Sequence, residues 1–237
     1  MASATYCDRP RAAALPGTLR PNLIDAACYL GLPVGTPPDP DTTALLQQAA
    51  QRLTEAAVPR MTWARLPVAD LEALGLLRGQ DIRIHLQGCD TAVLLAVTLG
   101  PQADAAVRRA GVGNVAALAA ADAVASALTE TAADAAEAAL RAEFAARGLH
   151  LTGRYAPGYG DWPLAVQPQF CALLDTPRLL GLVTGDDCLL LPRKSTTALL
   201  GVSDRPVPGH RAGCTHCALR QNCPYRHRRD ACAGAQG

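Results

Sequence analysis

"TAVLLAVTLG", Thr91 to Gly100, is the stretch on which the fold turns. An unbroken apolar run, Ala92 to Val97, is bracketed by threonines and closed by a glycine. A strand covered on both faces reads this way, so the run is expected at the centre of a sheet. It is far too short for a bilayer, which takes about 20 apolar residues in a helix. Upstream, "DIRIHLQG" alternates Ile82, Ile84 and Leu86, the period-2 pattern of a half-buried strand. Downstream, "LLGLVTGDDCLLLP" sets two apolar runs around Gly185-Asp186-Asp187 and reads as a hairpin. Strands in several places without regular βαβ alternation predict an α+β domain with a mainly antiparallel sheet packed with helices.

The helical segments are equally legible. "NLIDAACYLGL" predicts a short helix stopping near Gly31, followed by the Pro/Gly-rich "PVGTPPDPD". Asp41 is then expected to cap "TTALLQQAAQRLTEAAV", with Leu45, Leu53 and Val58 along one face. From Asn114, a candidate N-cap, to Gly148, a candidate stop, runs one alanine-rich helix or one helix broken once. Leu128, Ala132, Ala136, Leu140 and Phe144 step by four along its expected buried stripe. Glu130, Asp134 and Glu137 lie together elsewhere on it, with Arg141 four residues after Glu137, and read as a solvated face. A further helix is expected over Gln167 to Leu174.

Composition narrows the function. The 237 residues suit one domain or two small ones, and alanine makes up much of the 49% apolar content. A net charge of +1 gives no electrostatic reason to expect nucleic acid or a membrane as partner. "MASATYCDRPRAAALPG" lacks the apolar core of a signal peptide, so the expected location is cytoplasmic. Of nine cysteines, Cys7, Cys28, Cys89, Cys171 and Cys188 are scattered among apolar neighbours, as reduced core or near-core thiols are.

The chemistry concentrates in "GRYAPGYGDWP", Gly153 to Pro163. The chain has two tryptophans and five tyrosines, yet Trp162, Tyr155 and Tyr159 all fall here. Two prolines and three glycines exclude regular structure, and Gly158 and Gly160 permit positive φ angles or close approach to a ligand. Arg154 offers a planar fork suited to a carboxylate. The aromatic faces suit a planar, zwitterionic or cationic ligand, or else simply pack on the sheet. Lys194, the only lysine, hints that a compact ammonium is wanted in "LPRKSTTALLG".

"RYAPGYGDWPL" followed by "LLPRKSTTALLG" resembles the reactivation domain of cobalamin-dependent methionine synthase, which binds S-adenosylmethionine (AdoMet). The similarity is to the stand-alone version of that domain. It runs upstream through "LQGCDTAVLLAVTLGPQADAAVRRA" and "AADAVASALTETAADAAE" to "CYLGLPV", most of residues 22 to 204. The resemblance implies an activator that holds AdoMet while a partner's cobalamin, oxidised to cob(II)alamin, is reduced and remethylated. It implies a cobalamin-binding methionine synthase as partner and an electron donor such as flavodoxin or ferredoxin. Arg154 matches the arginine that binds the AdoMet carboxylate; Ala156, Gly158 and Tyr159 match the contacts that follow it. Ser126 stands where the fused domain uses a helix glutamate, with Glu130 one turn later. The implied division is a lead-in over 1–20, an AdoMet-binding domain over 21–204 and a tail over 205–237.

That tail carries Cys214, Cys217, Cys223 and Cys232 in the spacing Cys-x2-Cys-x5-Cys-x8-Cys. Four thiolates suit a metal, and structural zinc, an iron–sulfur cluster and no metal all stay open. The fused domain has no such tail. Arg220, Arg226, Arg228 and Arg229 make it basic, suited to an acidic electron donor or to the synthase.

Overall fold

The structure is a computed structural model that describes residues 5–15, 19–33 and 36–209. The elements are β1 (Asp8–Ala14), α1 (Leu23–Tyr29), α2 (Pro40–Ala56), β2 (Arg60–Pro67), α3 (Val68–Ala73), α4 (Gln80–His85), β3 (Thr91–Thr98), α5 (Pro101–Ala110), α6 (Val115–Ala145) and β4 (His150–Leu151). After a long loop come α7 (Gln167–Leu173), α8 (Thr176–Leu180), β5 (Val183–Thr184), β6 (Leu190–Leu191) and β7 (Ser195–Ser203). The five-stranded sheet has the order β1-β2-β3-β7-β4, antiparallel throughout, and β5 and β6 form a separate hairpin around Gly185-Asp186-Asp187 as expected. The fold is the α+β arrangement read from the sequence.

β3 is the centre of the sheet, and both its faces are covered. Val93, Leu95 and Val97 join Trp63 of β2 and Leu200 and Val202 of β7 against α1, α2, α5 and α6. Ala92, Leu94 and Ala96 join Ala64, Leu66 and Leu199 against α3, α4, α7, α8 and the residues Tyr155 and Trp162. The two-residue period of a strand sorts these side chains onto a helix face and a loop-rich face.

α6 is one unbroken helix of 31 residues, about 46 Å long at 1.5 Å per residue. Asn114 caps it, its Oδ1 accepting the Ala117 N–H at 2.9 Å. Leu128, Ala132, Ala136, Leu140 and Phe144 are all buried, and Phe144 meets Trp63 edge-on at 5.6 Å. By length and composition α6 is apolar enough to cross a membrane; here its apolar stripe is the core of the helix face.

Four local expectations give way. "DIRIHLQG" is not a strand: Gln80–His85 is the helix α4. Ile82 and Leu86, four apart, are buried while Ile84 is 47% exposed, a helical period that a short alternating run disguises. The Asp161 carboxylate supplies the helix cap from across the fold, accepting the N–H of Gln80 at 2.6 Å and of Asp81 at 3.0 Å. Second, α2 starts two residues earlier than an Asp41 cap would place it. Pro40 takes the first turn, and Asp39 is the cap, accepting from Thr42 N at 2.9 Å. Its buried residues are Leu46, Ala49 and Leu53; Val58 lies past its end, half exposed. Third, residues 8–14 of the lead-in are β1, an edge strand whose Arg11 lies over the Trp63 ring at 4.5 Å. Fourth, Cys28, Cys89 and Cys171 are buried and Cys188 is half-buried, but Cys7 is exposed.

Candidate functional site

The strand that begins at β4 continues along β7 past its last regular pair. Thr152 N donates to Gly201 O, and Tyr155 and Leu199 exchange both backbone hydrogen bonds, at 2.9 and 2.8 Å. Arg154 and Tyr155 are therefore neighbours in extended chain and point to opposite faces. Tyr155 goes into the loop-rich core, 4% exposed, while Arg154 goes to the helix side and meets α6.

There Arg154 faces three carboxylates. Its Nη2 lies 2.7 Å from Asp134 Oδ1 and 3.7 Å from Glu130 Oε2, and its Nη1 lies 3.0 Å from Glu137 Oε2. Positions 130, 134 and 137 form one stripe of a helix, so their convergence on one guanidinium follows from the 3.6-residue period. Arg141 extends the stripe, bonding Glu137 and donating to the carbonyls of Leu151 and Thr152 at 2.7 Å each. Glu130 and Asp134 are exposed, as a solvated face requires, and Glu137 is mostly covered; all three are also the counter-ions of Arg154. Desolvation lifts the Glu130 carboxyl above its usual range; Arg154 opposes this, and the charges of Asp134 and of Asp25 on α1 add to it. Arg154 Nη1 is buried and makes no well-aligned hydrogen bond, so three acids satisfy its charge without satisfying its fork.

Beyond Arg154 the loop folds on its own glycines and aromatics. Gly158 has φ +92° and donates its N–H to Trp162 O at 2.8 Å. Gly160 has φ +53°, and a Cβ there would run into the Asp81 carboxylate and the Tyr155 hydroxyl. Trp162 is 1% exposed and donates its Nε1–H to Leu76 O at 2.8 Å. Burial and the nearby charges of Asp81 and Asp161 push the Tyr155 phenol upward, so it stays neutral. Tyr155 and Trp162 thus fulfil the packing role. Tyr159 does not: it is 61% exposed.

Tyr159 and Ala156 stand at the mouth of an open cleft of about 890 Å³. Its walls are this loop, the β5–β6 hairpin and the first residues of β7; its floor holds Gln167 and Thr197, each 3% exposed and hydrogen-bonded to each other at 2.8 Å. This volume lies within the range of small-molecule sites. Of the four sequence-predicted residues, Ala156 and Tyr159 line the cleft, Gly158 shapes the loop behind them, and Arg154 sits two residues away on the α6 acids.

Lys194 also ends on α6. Its ammonium lies 2.8 Å from Asp122 Oδ1 and donates to Asp122 O at 3.1 Å and to Ser126 Oγ at 3.0 Å. The lone lysine anchors the start of β7 to the helix. Cys214, Cys217, Cys223 and Cys232 lie outside the described residues. Among the described residues no cluster of His, Cys, Asp or Glu has the makings of a metal site.

The stripe Glu130-Asp134-Glu137-Arg141 was visible in the sequence, but its partner was not. Nothing local says that residue 154 lies beside residue 134.

No family model matches the chain. No curated protein matches it either. Among solved structures, the MetH reactivation domain bound to AdoHcy is similar over 89% of this chain and 83% of that one, with a TM-score of 0.60 and 12% identity. The chain thus has the fold of the MetH reactivation domain, which was solved in that other protein with AdoHcy bound.

Proposed function

We propose that this protein binds AdoMet and serves the reductive remethylation of a corrinoid carried by a cobalamin-binding methionine synthase. The observation that carries the reading is the loop after β4. It sets an exposed tyrosine in the wall of an open cleft and, five residues before it, an arginine fork against the acids of α6. It does so in the fold of a domain solved with AdoHcy. The expected division of work gives Arg154 the ligand carboxylate, Ala156 and Gly158 the backbone approach, and Tyr159 a stacking face. The α6 acids would then serve the ligand's ammonium, so that a zwitterion replaces the internal ion pairs without leaving a bare charge. When bound, AdoMet supplies the methyl group; the protein supplies position.

The test is calorimetric titration of the full chain with AdoMet, in wild type and Arg154→Ala. The variant should weaken binding by about 2–4 kcal/mol, the cost of stripping a charged hydrogen-bonded partner from a carboxylate. Unchanged affinity would remove Arg154 from the site.

One observation favours a second reading. Arg154 is already matched by three carboxylates, as it would be in a binding or regulatory module that kept the fold and lost the ligand. Failure to bind AdoMet even with the corrinoid partner present would select it. For the tail, we propose that Cys214, Cys217, Cys223 and Cys232 hold zinc or an iron–sulfur cluster. Metal analysis of the anaerobically purified chain distinguishes these, and a metal-free chain excludes both.

A further inference from the structure

Resting on the AdoMet reading, we infer that Asp134 is a built-in competitor that occupies the arginine fork where a ligand carboxylate would sit. The three acids around Arg154 differ in how they are held. Glu137 is mostly covered, its side chain 20% exposed, and Arg141 ties it down at 2.8 Å from Nε. Glu130 is at 3.7 Å, beyond hydrogen-bond reach. Asp134 makes the one short, well-formed hydrogen bond to the guanidinium, 2.7 Å to Nη2, and its side chain is 72% exposed. Arg154 itself is only 20% exposed. The fork is thus fixed from behind by Glu137 and capped from the solvent side by Asp134.

A carboxylate arriving from solvent meets Arg154 on the side that Asp134 holds. Two carboxylates on one Nη2 would repel, so the ligand must displace the aspartate, and the exposed aspartate is the partner that moves at least cost. A ligand with a carboxylate alone would leave Asp134 and Glu130 facing it as uncompensated charge. A ligand with an α-ammonium beside its carboxylate gives Glu130 a partner while the displaced aspartate turns to solvent. The arrangement therefore selects amino-carboxylates and sets the affinity below what the bare fork would give.

The experiment titrates the full chain with AdoHcy, in wild type, Asp134→Asn and Glu137→Gln, at one ionic strength. AdoHcy has no net charge, so a change in the protein's overall charge does not by itself move its affinity. Asp134→Asn, exposed and isosteric, should bind about two- to fivefold tighter, the size of one exposed ion pair. Glu137→Gln should bind more weakly, because it loosens the fork. Binding by Asp134→Asn alone would be the strongest support. Wild-type binding that Asp134→Asn leaves unchanged or weakens would overturn the competitor and leave the AdoMet reading standing. Absence of binding in both wild type and Asp134→Asn, with the corrinoid partner added as well, would overturn the AdoMet reading and the competitor with it.

Discussion

The two faces of the sheet are built on different economies. The helix face is long-range and regular: α6 lays buried alanines and leucines over β3 and β7, and Phe144 closes against Trp63. The loop-rich face is irregular, filled by short helices and by Tyr155 and Trp162 from a segment with no repeating structure. The helix face holds by area. The loop face buries an apolar cluster of its own and adds a few directed bonds, Trp162 to Leu76 O and Asp161 to the start of α4. One loop serves both faces: its Arg154 turns to the helix face and its Tyr159 to the loop-rich cleft.

Three substitutions probe that difference. The largest effect is expected from Phe144→Ala, which empties a fully buried position of the helix face and should cost about 3–5 kcal/mol in denaturant unfolding. If the loss is much smaller, α6 is not the cooperative core. Trp162→Phe comes next, because it keeps a ring but removes the indole bond to the Leu76 carbonyl, which is left with the Arg78 N–H alone, about 0.5–1.5 kcal/mol. Limited proteolysis should then cut between 153 and 163 faster than in wild type. Cleavage elsewhere first would show that the indole bond does not hold the loop.

The smallest effect is one of pH. The N–H groups of Gln80 and Asp81 hold the Asp161 carboxyl below its ordinary value of about 4. A carboxyl lowered by folding adds stability that is full above its ordinary pKa and is lost as the pH falls through the folded value. Asp161→Ala should therefore flatten the acid limb of the stability profile relative to wild type and change little in its shape near neutrality. Asp39, lowered by its bonds to Thr42, stays in both proteins as a common background. An identical acid limb in the two would show that Asp161 does not cap α4.

Regular elements were legible because their signals are local. The central strand announced itself in six apolar residues, and α6 in its cap and four-residue steps. α4 was misread because a six-residue helix shows less than two turns of its period, and the residue that starts it, Asp161, is remote in sequence. The site was half legible for the same reason. Gly153 to Pro163 stood out by composition, and an extended chain would send Arg154 and Tyr155 to opposite sides.

The sequence by itself determined the α+β class, the central strand, the long helix and the loop that carries the candidate site, since each depends on residues close together in the chain. Only the tertiary structure decided which partner each of those side chains would have. It placed Arg154 against Glu130, Asp134 and Glu137, bound Lys194 to Asp122 and Ser126, and divided the aromatics into a buried pair and an exposed Tyr159. The physical reason is that periodicity orients a side chain relative to its own element, whereas electrostatic pairing depends on which elements the packing of apolar surface brings together.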